Sequence, residues 1–200
     1  MKIPQKYHKW ILLTLGIYFV ISAVISAYVC VIKKNGHKVK IPNDVSFKSI
    51  VSLEECARNY AEKYYDGDWK LVWITVGYDK TDNLNGNMRA HFYYYDEGEE
   101  HNWDDGYTCT VSMNSETNVM QVRKSENLNK GSLAIDVSKW KIDLDDIIEF
   151  DEFGFDWNHF SFGAYVDEYH LSQTVHIDFS GENDTAHFYF NPTHESMIES

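Results

Sequence analysis

Residues 108–120, TCTVSMNSETNVM, decide how the body of this chain is read. Apolar side chains alternate with small polar ones through Cys109, Val111 and Met113. Asn114 then opens a polar turn, and apolar residues resume at Val119 and Met120. Period-two alternation interrupted by an Asn-led turn is the pattern of one β-strand folding back into another. Seventy-seven positions later AHFYFNPTHESM repeats the plan, with Asn191 falling on Asn114, Phe190 on Met113, Phe188 on Val111 and Met197 on Met120. Neither copy carries an obvious catalytic residue.

The flanking sequence extends the repeat. Before the first copy, Leu53, Cys56, Ala57, Tyr60, Ala61 and Tyr64 recur at helical spacing and predict one buried stripe. Ser52 and Glu55 give an S-x-x-E capping box ahead of that stripe, and Gly67 stops it. Lys70–Tyr78 switches to β-branched and aromatic residues, and Met88, Ala90, Phe92 and Tyr94 share one face of a second strand. Tyr107–Met113 is the third strand and Val119–Arg123 a short fourth. After the polar stretch 124–138 a similar order starts again. Asp143 is a predicted N-cap before the stripe Leu144, Ile147, Ile148, and FSFGAYV, TVHIDF and AHFYF read as strands. The predicted fold class is α+β, an N-terminal transmembrane helix followed by two helix-plus-antiparallel-sheet modules at 49–123 and 139–200, with linkers at 33–48 and 124–138. A single cystatin-like α+β domain is the alternative, and strand order separates the two.

Charge divides the chain differently. Met1 to Lys40 holds seven lysines and no acid, which leaves eleven bases against thirty-one acids in residues 41–200, a formal charge of −20. So acidic a body repels nucleic-acid phosphates and anionic surfaces, and nucleic acid is excluded as a partner. Residues 11–32, ILLTLGIYFVISAVISAYVCVI, carry no charge and as a helix span about 33 Å, enough for a hydrocarbon core of about 30 Å. The apolar run continues past the signal-peptidase-like ISA at 25–27, so an uncleaved signal anchor in the lipid bilayer is expected. Lysines flank both ends. A short cytoplasmic N-terminus (residues 1–10) would put the acidic body outside the cytoplasm, in a single-pass cell-membrane topology.

A helix followed by a small antiparallel sheet that ends in a strand, an N-x-x-T-like turn and another apolar residue resembles the PepSY and PepSY-like modules of bacterial envelope proteins. The resemblance rests on VSMNSETNVMQV in the first copy and FYFNPTHESMI in the second, with WKIDLDDII similar to the tryptophan-led helix start of tandem versions. It covers residues 50–200, and Asn118 and Glu195 stand where the family pattern has a turn glycine. It implies a non-catalytic module that binds or restrains a protease or another envelope protein.

Cys56 on the helix stripe and Cys109 on an apolar strand face are a disulfide candidate, set against two buried thiols. His91, His101 and Asp104 or Asp105 lack zinc-site spacing, and His176 and His187 read as scattered outward-facing residues, so no metal is expected. DKTDNLNGN and DFSGENDT fail the EF-hand spacing and read as turns. The acidic loop with Trp103, Asp104 and Asp105 is a candidate partner-binding loop. Trp73, Tyr93 and Tyr95 are expected to share a sheet face that is too apolar to stand open, covered by the second module or by a homodimer partner. With no G-x-S-x-G, S-x-x-K or glycine-rich phosphate loop, the expected protein is not an enzyme and takes no cofactor. Its expected role is binding or regulation of an unidentified envelope protein, or sensing of a small ligand or cation.

Overall fold

Residues 107–126 form the hairpin that the alternation predicts, inside a larger sheet. The computed structural model describes residues 5–80, 87–96, 107–126, 133–149, 156–167 and 172–193. The elements are α1 (Gln5–Asn35), β1 (His37–Lys40), α2 (Ile50–Tyr64), β2 (Lys70–Asp79), β3 (Asn87–Asp96), β4 (Tyr107–Asn114), β5 (Val119–Glu126), α3 (Leu144–Glu149), β6 (Trp157–Asp167), β7 (Ser172–Gly181) and β8 (Thr185–Phe190), with a 3-10 turn at Val137–Lys139. The fold is α+β. Two compact units result, Met1–Gly36 and His37–Ser200.

The first unit is α1. Its stretch Leu13–Val31 has a mean hydropathy of 2.1, none of it buried, and is long and apolar enough to cross a membrane.

In the second unit, eight strands among the described residues form one antiparallel sheet in the order β1-β5-β4-β3-β2-β6-β7-β8. The chain halves on either side of residues 127–132 meet at β2·β6, paired from Ile74↔Ala164 to Asp79↔His159. From that seam, β3 and β4 run outward on one side and β7 and β8 on the other. His37–Lys40, within the stretch read as a linker, is the edge strand β1, paired with β5 from His37↔Val122 to Lys40↔Val119. The turn between β4 and β5 depends on Asn118, whose φ of 51° lies in the left-handed region that glycine usually supplies. Asn114 Oδ1 accepts the Thr117 N–H at 2.9 Å in the same turn.

One face of the sheet is the core. Phe92, Tyr94, Cys109, Val111, Met120 and Val122 are buried on one side of the seam, and Phe160, Ala164, Val175, Ile177 and Phe179 on the other. Trp157, Phe160 and Phe179 meet edge-on or tilted at 5.2–6.0 Å, geometry that suits ring quadrupoles. Helix α2 covers this face with Ile50, Leu53, Cys56, Ala57 and Ala61. It starts a turn earlier than the capping box suggested. Ser49 is the N-cap, accepting from the Ser52 N–H, while Ser52 Oγ accepts from the Ser46 N–H. Ile50, the first helical residue, is buried against the core. Asp143 leads α3 as predicted and also reaches α2, its Oδ1 accepting the Leu144 N–H at 2.9 Å and the Ile50 N–H at 2.5 Å. One carboxylate thus satisfies orphan amides at the start of two helices.

A polar network pins α2 to the sheet. Glu54 is buried, bridged by Arg58 at 2.7 Å, and its Oε1 accepts from the Tyr94 hydroxyl at 3.3 Å. Burial raises the Glu54 carboxyl above its ordinary value, and Arg58 works against that rise. Arg58 also donates to the Trp69 carbonyl at 2.8 Å. Gly67 lets the chain pass closely between α2 and β2, because a Cβ there would lie 2.6 Å from Asp96 Oδ2. Cys56 and Cys109 are both buried free thiols, pushed up by burial to about 11 and about 12.

Candidate functional site: the open face of the sheet

Strand geometry puts every second residue on the face opposite the core. Within the second unit, α2 and α3 pack on the core side and leave that face uncovered. At its centre, Thr75 pairs with Gly163 and Gly77 with Ser161. A Cβ on either glycine would meet nothing within 4 Å. The seam is therefore a low floor of small residues. Trp73 and Tyr93 are cross-strand partners beside it, and Trp73 stacks on Tyr165 at 5.9 Å across the seam. Trp73 is 45% exposed, so the expectation that this aromatic face is covered finds no covering element among the described residues. Tyr95 departs from the trio. Beyond the β-bulge between Leu71 and Trp73 it is buried.

The half of the face on β3, β4, β5 and β1 is basic. Its strand positions carry Lys38, Lys40, Arg89, His91 and Arg123 among Thr110, Ser112, Asn114 and Gln121, with no acid. Lys38, Arg89, His91, Ser112, Asn114 and Gln121 line a cleft of about 250 Å³. His91 Nδ1 lies 2.8 Å from Ser112 Oγ. Burial, and then the nearby Arg89 charge, lower its pKa, so it enters neutral pH uncharged. On a body of charge −20, this half-face is a local reversal of sign.

The half on β6, β7 and β8 pairs histidines with aspartates. His159 Nδ1 is 2.7 Å from Asp79 Oδ1 across the seam. Asp178 Oδ1 meets His176 Nε2 at 2.8 Å and also contacts His187 Nδ1. Burial acts to raise the Asp178 carboxyl, but the hydrogen bonds and charges of His187 and His176 prevail and hold it below its usual range. His176 stacks on Tyr189 at 4.5 Å, nearly parallel.

No family model, curated protein or solved structure matches the chain.

The predicted site residues fare unequally. Cys56 and Cys109 both enter the core, on α2 and β4, as free thiols. Trp103, Asp104, Asp105 and His101 lie outside the described residues. His176 and His187 face outward as expected, but they stand together with Asp178 rather than scattered. The signal available in the sequence was H-x-D at 176–178. It becomes a cluster only because the β7·β8 register sets Asp178 opposite His187.

Proposed function

We propose that the protein is a membrane-anchored, non-enzymatic binding and regulatory module of PepSY-like type, held outside the cytoplasm, that engages an envelope protein such as a protease through the open face of its sheet. The observation that carries this reading is the exposed face itself, with Trp73 and Tyr189 45% and 49% exposed on a wide, regular surface. The basic half suits an acidic segment of the partner, since Lys38, Arg89 and Arg123 stand there with no acid at the neighbouring outward strand positions. Helix α1 supplies the anchor.

The tandem-module reading has support in the topology. Each repeat contributes a helix and an antiparallel meander, of four strands (β2–β5) in the first and three (β6–β8) in the second, and the meanders join antiparallel at their first strands, β2 and β6. Asn114 and Asn191 both turn the side-chain oxygen onto a backbone N–H, of Thr117 and Thr193. Asn118 takes the left-handed conformation at the position where the family pattern has glycine.

A photo-crosslinking residue at position 73 tests the interaction, with position 51 as control because Val51 is 40% exposed on α2. In membranes, position 73 should give a discrete protein adduct that Arg89→Glu with Arg123→Glu removes. Equal adducts from both positions, insensitive to the charge reversal, would rule the face out as the binding surface.

A further inference from the structure

The geometry points to a binding site for a divalent transition-metal ion of the zinc class, formed by His176, Asp178 and His187. Each residue offers one ligand atom, and the three atoms lie within 4.8 Å of one another. Two imidazole nitrogens and one carboxylate oxygen match zinc, which accepts nitrogen at about 2.0–2.1 Å and carboxylate oxygen at about 2.0–2.2 Å. The same mixed set is poor for calcium or magnesium, which take oxygen ligands. A fourth position would face solvent, since His187 is 61% exposed in its side chain.

Two features separate this cluster from ordinary surface pairing. The ligands sit on a rigid frame. Asp178 and His187 are direct partners across β7·β8, as are His176 and Tyr189, so backbone register alone brings the three side chains together. Their orientations are also supported from outside. Tyr189 stacks on the His176 ring. Ser161 of β6 donates to Asp178 Oδ2 at 3.4 Å, leaving Oδ1 turned toward both histidines. Such outer contacts fix the aim of metal ligands. The acidic body adds a field that draws cations in. His159 differs, because among the described residues its imidazole meets a single carboxylate, that of Asp79. The site does not depend on a protein partner for the open face.

The test is calorimetric titration of the full chain in detergent with Zn²⁺, alongside visible absorption with Co²⁺. The parent should bind one ion in this cluster at micromolar concentration, and Co²⁺ should give the intense absorption of a four-coordinate site. His187→Gln and Asp178→Asn should each weaken binding at least tenfold and erase that absorption, while His159→Asn leaves both intact. His187 is exposed enough for its variant to keep the fold, which an unchanged melting curve without metal would verify. No heat from the parent, or equal affinity in parent, His187→Gln and Asp178→Asn, overturns the site.

Discussion

The two faces of the sheet are built from the same strands and the same alternation, yet they do opposite work. On β7, Val175, Ile177 and Phe179 are buried, while His176 and Asp178 between them look out. On β3, Ala90, Phe92 and Tyr94 face α2, while Arg89, His91 and Tyr93 look out. A one-residue slip in any of these strands would exchange the two sets. The core face thereby fixes the register on which the outer face depends. Burial is concentrated on one face, and the other stays accessible to solvent.

The strongest way to break this comparison is to mutate the faces separately. Phe92→Ala, at a fully buried position, should cost about 3–5 kcal/mol in denaturant unfolding. Tyr189→Ser, on the open edge strand, should change stability by no more than about 0.5 kcal/mol. Similar losses from both would mean that the outer face is also packed.

A smaller effect comes from the link between α2 and the core face. Arg58→Ala removes the strong donor from the buried Glu54 carboxylate and should cost about 2 kcal/mol. It also takes away the interaction that opposes the burial-driven rise of the Glu54 carboxyl, so that group should titrate higher still. NMR titration of the Glu54 carboxyl checks this, and a downward shift would contradict the network described.

The slightest effect at neutral pH concerns the two core thiols. Their folded values, about 11 and about 12, lie above the ordinary 9.0, so the unfolded chain loses these protons first as pH rises. Their contribution is fully present below pH 9 and is lost as pH climbs from there through the folded values. Unfolding curves of the parent and of Cys56→Ala with Cys109→Ala should run parallel up to about pH 8 and converge or cross above it. Curves that stay parallel to pH 11 would show that the thiols are not held protonated by the core.

Much of the secondary structure was legible in the sequence, because alternation such as Met88, Ala90, Phe92, Tyr94 is a direct imprint of one buried face. Edge strand β1 was not, since HKVK offers a single aliphatic residue, Val39, amid lysines that also suit a linker. The start of α2 lies a turn before the capping box because Ser49 and Ser52 both make good caps, and the contact from Asp143 to the Ile50 N–H, 93 positions away, is not legible locally. The outer face was the least legible. Its chemistry is assembled across strands, from Asp178 to His187 and from Trp73 to Tyr165, and local pattern carries no information about which strands become neighbours.

The register of β1 also has a consequence for the order of assembly. Both meanders consist of hairpins between strands adjacent in the chain, a local arrangement that closes short loops and favours fast formation. Strand β1 pairs His37 with Val122 and so closes a much longer loop. As a nascent chain emerges, β1 leaves the ribosome before β2, β3 and β4, and its partner β5 is synthesised only after them. The first strand of the sheet in sequence must therefore wait unpaired until the β4–β5 hairpin is made.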